Sequence, residues 1–345
     1  MKLLREKLER FRRSQPQVRR DATEDIFERK LYLYPSSFEV ANYSHRTPLV
    51  SFNPGALVKD KTLYIFPRMI FDYYKYVSSI AFLKVSIEDV LNGRLKTPLR
   101  CKILIWPRNL WEFLGAEDAR AHLVDDRIYI LYTGKGYYLE EKAAKRRDVL
   151  GFAEIDHEGS ALRKAFFRIR GKEGDYLTPS NKDSTFLWIK GDKAMMLTRP
   201  EIAGLRICWR AEVDLKEHVI LEDALTPVMN FENWELKVGW STNAVRLSRN
   251  EFLVGWHGML RDDLSYRNGL AIVDDQGELL AVSDYLLSPK GLVEEYGDRP
   301  LVIFGDGLIL YKETLIWVGG VSDYIIGVFT TQLQKALDKL RWLRG

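Results

Sequence analysis

A weak internal period constrains this chain more than any other feature. Short apolar runs suited to buried strands begin at residues 63, 128, 194, 252 and 315. They read Leu63-Tyr64-Ile65-Phe66, Ile128-Tyr129-Ile130-Leu131, Ala194-Met195-Met196-Leu197, Phe252-Leu253-Val254-Gly255 and Leu315-Ile316-Trp317-Val318. The starts lie 65, 66, 58 and 63 residues apart, and regular spacing of this kind marks a repeated supersecondary unit. Each run follows a charged turn, such as Lys59-Asp60-Lys61 or Asp125-Asp126-Arg127, which reads as a hairpin connection. Upstream of each run stands a small polar residue, Asn53, Asp118, Asp183, Asn243 or Asp306, expected to open the first strand of its unit. A unit of this length holds four short strands with their loops, and five units nearly fill the chain. The expected fold is all-β, a five-bladed β-propeller with N- and C-terminal helices, in which polar residues at equivalent strand positions converge on a central channel. A β-sandwich with fortuitous spacing is the alternative.

The ends depart from the repeat. Residues 1–30 are expected to form a helical arm, 31–330 the propeller and 331–345 a C-terminal helix. Leu4, Leu8 and Phe11 fall on one helical face, with Arg5, Arg10, Arg12 and Arg13 elsewhere. Thr331 and Gln334 have the spacing of a capping box, and Leu333, Leu337, Leu340 and Leu343 form a stripe behind them. Both helices could pack on the propeller rim or on a second subunit, so a homo-oligomer is an open expectation.

Composition excludes several functional classes. The 52 basic and 48 acidic residues leave a net charge of +4, too balanced for a general nucleic-acid binder. Cys101 and Cys208 stand far apart and the five histidines are scattered, so neither a disulfide framework nor a metal-ligand spacing is present. The charged N-terminus does not read as a signal peptide, and no apolar run approaches a membrane span. A soluble cytoplasmic protein without nucleic-acid or membrane partners is expected. Aromatic residues reach 12%; most are expected in the core, although sugar sites also use them.

The segment Gly115-Ala116-Glu117-Asp118-Ala119-Arg120 places two carboxylates beside a guanidinium. On an extended strand Glu117 and Asp118 would point to opposite faces, so only one would reach the channel. Its neighbour could pair with an arginine, an arrangement able to hold a general acid protonated.

Taken in order, several stretches resemble glycoside hydrolase family 130, the mannoside phosphorylases and related mannosidases. Asn53-Pro54-Gly55-Ala56 with Arg68 is similar to the family's first-blade motif. Gly115 to Arg120 with Tyr132-Thr133 resembles its Gly-x-Glu-Asp-Pro-Arg motif, although Ala119 stands in place of the proline. Asn181-Lys182-Asp183, Thr198-Arg199-Pro200, Trp234 to Gly239, Trp256-His257-Gly258 with Tyr266 and Gly269, Glu294 to Gly297 and Gly319 to Asp323 continue the series. The resemblance covers about residues 45–335 and implies an inverting phosphorylase. In such an enzyme inorganic phosphate attacks the anomeric carbon of a β-mannoside and releases mannose 1-phosphate, with no metal or other cofactor. It implies Asp118 as proton donor. Arg68 and Lys237 would contact substrate or phosphate, with Arg168 a looser candidate for phosphate and Lys182 a further one. It places Asn53, Asp183, His257, Tyr266 and Asp323 around the sugar. Read without the resemblance, Arg199 is an internal ion-pair partner, Asp183 a turn cap and His257 a satisfied core histidine.

Three other readings stay open. A hydrolase of the same fold would use water and a base carboxylate, for which Glu295 and Asp323 are candidates. A non-catalytic carbohydrate-binding propeller would keep aromatic platforms and lose the acid. A protein-interaction propeller would carry more regular repeats and fewer charges aimed at the axis.

Overall fold

The computed structural model describes residues 1–140 and 143–343. The chain is mostly β. Each of the five apolar runs is the second strand of a hairpin: Thr62–Ile70, Arg127–Glu140, Lys193–Ile202, Glu251–Leu260 and Thr314–Val321. Four of the hairpins close through two-residue turns, at 60–61, 125–126, 191–192 and 312–313. Asp60, Asp125, Gly191 and Lys312 take positive φ there, the conformation that matches a tight turn to the twist of its strands.

The first strands of these hairpins lie against one another. They are Val50–Lys59, Gly115–Val124, Asn181–Lys190 and Ile303–Tyr311, with the fourth unit's broken in two, Glu235–Trp240 and Val245–Arg246. They touch one another in chain order, and the last meets the first where Gly307 packs against Ala56. Side chains tie the units together across these contacts. Asn53 Nδ2 donates to Asp118 Oδ1 at 3.0 Å. Asn243 donates to the carbonyl of Leu308 and accepts from its amide. Arg120 donates to the carbonyl of Ser241 and pairs with Asp183 and Asp306.

The recurring small polar residues do not open their strands as expected. Asn53, Asp118, Asp183 and Asp306 sit inside them, at register shifts in the ladder. The first three have φ of 42°, 54° and 51°. Asn and Asp tolerate this left-handed region better than bulkier residues, and a bulge re-aims the side chain it carries. The repeat of short polar residues is therefore a conformational requirement as well as a chemical one.

The core fills the spaces between sheets. Trp209, Trp240, Trp256 and Trp317 are fully buried, as expected for most of the aromatics. Cys101 and Cys208 are buried and free, and burial pushes both thiols up.

The N-terminal helix, Lys2–Ser14, buries Leu4 and Leu8 against the third unit, with Phe11 packed beside them. Each buried leucine contributes about 1.5–3 kcal/mol. Beyond the helix the arm inserts Arg19, 1% exposed, into a buried pair with Glu235 and over the Trp256 ring at 4.4 Å. Glu28–Leu33 then pairs antiparallel with Ile325–Gln332, so the beginning of the chain completes the last sheet. The C-terminal helix expected over 331–345 spans only Leu333–Leu337. Its start has no side-chain cap, so the Thr331–Gln334 capping box does not form. Arg341–Trp342 pairs as a strand with Leu279–Val282, because the sheet edge there offers the chain end backbone partners that a longer helix would forgo. Residues 344–345 lie outside the described part. Among the described residues no helix is long and apolar enough to cross a membrane, and no group of acidic, histidine or cysteine side chains could hold a metal ion.

Candidate active site

Residues of these hairpins and of the loops beside them line a cavity of about 330 Å³. Asn53, Arg68, Asp118, Asp183, Lys237, His257, Tyr266 and Asp323 all line it. Arg168 does not. It lies on the outer strand Arg168–Gly171, where it pairs with Asp175 at 3.2 Å. Its placement among the phosphate contacts is therefore corrected: the short strand that carries it pairs with Val219–Leu221, outside the cavity lining.

The expectation that only one member of the Glu117-Asp118 pair reaches the channel also fails, because the backbone is not extended there. The positive φ at Asp118 turns both carboxylates toward the cavity, where both meet Arg68. The guanidinium donates to Glu117 Oε1 at 2.9 Å and to Asp118 Oδ1 at 3.2 Å. It is fixed in turn by Ser78 Oγ at 3.0 Å and by the Phe52 ring at 4.6 Å. Burial opposes ionisation of Glu117, but Arg68, Lys182 and Lys135 outweigh it and hold the group down to about 2. Glu117 is thus a fixed anion. Asp118 Oδ1 accepts from both Asn53 and Arg68, which leaves Oδ2 as the oxygen that can face a substrate.

Beside this pair lies a buried charged cluster. Asp183 sits between Arg120, at 3.2 Å, and Arg199. Burial would raise its pKa, yet Arg199, Arg120 and His257 drive it well below the usual carboxylate range. Asp306 behaves in the opposite way. Burial, with Asp118 and Asp183 close by, pushes it well above that range despite Arg120. Asp323 is also raised, to about 6, by burial and by Asp118 and Asp298, with Arg68 and Arg299 opposing.

The facing wall is cationic. Arg199 spends one nitrogen on Asp183, while its Nε and Nη1 have no partner among the described residues. Lys237 has no carboxylate partner there either. Its ammonium stands over the Tyr266 ring at 4.7 Å, and Arg299 stands over the same ring at 4.6 Å. Arg299 also donates to Tyr266 Oη at 3.3 Å. Burial, reinforced by Arg199, Arg299 and Arg206, lowers Lys237 to about 7. His257 is held neutral by burial, its Nδ1 at 2.9 Å from Ser241 Oγ and its ring stacked on Tyr266. Gly239 lets this wall close up: a Cβ there would lie 2.7 Å from His257 and 2.8 Å from Arg199.

Sequence reasoning assigned Arg199 an ion-pair role, and the structure gives it that role together with two free donors. It overlooked Arg206, on the short strand Leu205–Arg206, and Arg299, in the loop before Ile303–Tyr311, both outside the repeated strand positions. It also overlooked Lys135 and Asp148, which enter from the long second and third strands of the second unit. Glu295 lies outside the cavity, on the short helix Leu292–Glu295, and accepts from the Gly291 amide. Of the two carboxylates weighed as a hydrolytic base, Asp323 alone reaches the site.

The model of the family described as beta-1,4-mannooligosaccharide phosphorylase, glycoside hydrolase 130, matches residues 17–342. The chain belongs to glycoside hydrolase family 130. A 1,2-beta-oligomannan phosphorylase from Thermoanaerobacter sp. (strain X514) is 27% identical over 272 residues, spanning 76% of this chain and 81% of that protein. The structure of a beta-1,2-mannobiose phosphorylase from Listeria innocua in complex with beta-1,2-mannobiose matches with a TM-score of 0.68 and 17% identity, covering 91% of this chain and 98% of the other. A structure from work on glycoside hydrolases of the same family that target beta-1,2 mannosidic linkages in Candida mannan matches with a TM-score of 0.68 and 14% identity, over 93% and 97%. At these identities the two structures show likeness of fold alone.

Proposed function

We propose that this family 130 member is an inverting phosphorylase of β-mannosides, built as a five-bladed β-propeller whose axis carries the reaction. Asn53, Asp118 and Asp323 bind the sugar from the carboxylate side. Inorganic phosphate occupies the opposite wall, bound by Arg199, Lys237 and Arg299 with His257 and Tyr266. A phosphate oxygen attacks the anomeric carbon as the glycosidic C–O bond breaks. Asp118 supplies a proton to the leaving oxygen, directly or through a sugar hydroxyl, and the products are mannose 1-phosphate and a shortened glycoside. The enzyme needs no second catalytic carboxylate, because phosphate arrives as the nucleophilic anion. Arg68 keeps Glu117 and Asp118 in place, and the fixed charges of the site are oriented before the reaction begins.

The observation that carries this reading is a wall with more cationic groups than carboxylates to pair with them. Arg199 keeps two buried donors free and Lys237 lacks a carboxylate partner among the described residues, while Arg299 adds an exposed positive charge beside them. Buried donors and cations without partners are costly, and a bound dianion satisfies them through charge-assisted hydrogen bonds. A hydrolase has no such need at its nucleophile position.

The test is incubation with β-1,2- and β-1,4-mannobiose, with and without phosphate. Mannose 1-phosphate formed only in the presence of phosphate supports the proposal, and Asp118→Asn should lower its rate by about 10²–10⁴. Free mannose released equally with and without phosphate would establish the hydrolase instead.

A further inference from the structure

The wall that carries Lys237 and His257 is held from outside the cavity by the beginning of the chain. The amides of Val18 and Arg19 donate to Glu232 Oε1 at 3.1 and 3.2 Å, and Arg341 donates to the Val18 carbonyl at 3.0 Å. These bonds fix the segment that sends the Arg19 side chain into the core. There Arg19 grips Glu235 with both terminal nitrogens: Nη1 donates to Oε1, and Nη2 donates to Oε2 at 2.8 Å. Nη2 also donates to the Asn230 carbonyl at 2.8 Å. Glu235 accepts two further bonds, from Tyr285 Oη and from the Glu232 amide at 2.8 Å. A buried carboxylate met by a two-pronged cation and two more donors has one orientation open to it.

Two features carry this anchor to the cavity. Glu235 opens the strand Glu235–Trp240, and the register of that strand against Glu251–Leu260 shifts between Glu235 and Lys237. Such a shift re-aims the side chains beside it. Lys237 lines the cavity, whereas Glu235 lies outside the lining. The paired strand carries Trp256, whose ring stands 4.4 Å from the Arg19 guanidinium, and its next residue, His257, lines the cavity. Gly258 completes the fit, since a Cβ there would collide with Glu235 Oε1.

We infer that Arg19 is a positioning residue for the anion wall: by fixing Glu235 and Trp256 it sets where Lys237 and His257 stand. The inference rests on the reading of that wall as the phosphate site and adds the part that the chain's beginning plays in it. Lys237 is faced by Arg199, Asp183, Arg299 and Arg206, with neutral His257 and the Tyr266 ring beside it. Its titration near neutrality depends first on burial. A loosened bulge would admit water to the ammonium and return it toward the ordinary lysine range.

The test is calorimetric titration of sulfate at pH 7, 8 and 9 into the wild type, Arg19→Met, Arg19→Lys and Lys7→Met, with KM for phosphate and for mannobiose measured alongside. Arg19→Lys keeps the charge that buried Glu235 needs and loses the fork, so it serves should Arg19→Met fail to fold. Lys7 ties the N-terminal helix to the carbonyls of Asp223 and Leu225 at 2.7 and 2.6 Å, so its variant loosens the beginning of the chain without touching the anchor. The wild type should lose sulfate affinity ~50-fold from pH 7 to pH 9. Both Arg19 variants should cut that loss to under ~5-fold and raise KM for phosphate ~10-fold, with KM for mannobiose within about twofold. Lys7→Met should match the wild type. An undiminished pH dependence in the folded Arg19 variants, whatever their thermal stability, would overturn the inference and leave the anion wall standing. The same change in Lys7→Met would overturn it as well, by showing a general loosening. The binding readout needs no turnover, so it decides even if mannobiose is not the substrate. Failure of sulfate to bind the wild type at any of these pH values would refute the anion wall itself, and the positioning with it.

Discussion

Anion affinity in the cavity should fall steeply as the pH rises above 7, through Lys237 alone. The group is lowered to about 7 by burial and by the three arginines around it. It is therefore about half charged at pH 7 and about 1% charged at pH 9. A bound dianion stabilises the charged form, so binding draws on the protonated fraction, and affinity should drop ~50-fold between pH 7 and pH 9. The sign follows from the charge that is lost: deprotonation removes a cation facing the anion, and lowering the pH restores it. Other cavity groups stay constant in this window. Asp323, raised to about 6, is already ionised, His257 is neutral throughout, and burial keeps Tyr266 protonated. Sulfate is the better probe because its own charge does not change over this range, whereas phosphate gains negative charge near neutrality. The assay is the inhibition constant of sulfate against phosphate in the mannoside reaction, from pH 7 to 9. Wild type should weaken ~50-fold from pH 7 to 9. Lys237→Met should bind weakly at every pH, and Lys237→Arg should remain strong at pH 9. A flat wild-type curve, or the same slope in Lys237→Met, would refute the assignment of the titration to this lysine.

Asp323→Asn should stabilise the fold at pH 8 and change little at pH 4. A carboxyl whose pKa is raised on folding contributes most below its ordinary value near 4, and that contribution is lost as the pH rises through 6. The gain at pH 8 should be about 1–2 kcal/mol by thermal unfolding, less than the ~3 kcal/mol of a fully dry site because the side chain retains some solvent contact. Arg120→Met should cost about 3–5 kcal/mol in denaturant unfolding, since it leaves buried Asp183 and Asp306 without their shared cation. Arg168→Ala should leave the KM for phosphate unchanged within about twofold, because its partner is the surface carboxylate Asp175; a large rise would return this arginine to the anion site.

Much of the architecture was legible because it repeats. The five apolar runs are second strands of five hairpins, and the charged dipeptides before four of them are their tight turns. The recurring Asx residues marked positions that come together in one buried cluster, although their place inside the strands, on bulges, was not visible. A periodicity argument assumes regular extension, and positive φ breaks it. For the same reason Glu117 and Asp118 were expected on opposite faces and are found together on Arg68. Arg168 was misplaced because its neighbourhood aligned poorly with the family pattern and nothing local distinguishes an outer strand from an inner one. The C-terminal leucine stripe fitted a helix, and the open edge of Leu279–Val282 captured part of it as a strand instead.

What the sequence determined by itself was local and periodic. The spacing of apolar runs set five similar units, the turn residues set where the hairpins reverse, and short Asn and Asp side chains were reserved for backbone positions that larger residues resist. The tertiary structure alone decided the ionisation states and charge balance of the site. Lys237 is an ordinary lysine in the chain. It becomes a group poised near neutrality only because burial removes its water while Arg199, Arg206 and Arg299 arrive from other segments. Desolvation and Coulomb interaction depend on distances through space, and residues that stand far apart in sequence acquire those distances only when the sheets have packed together.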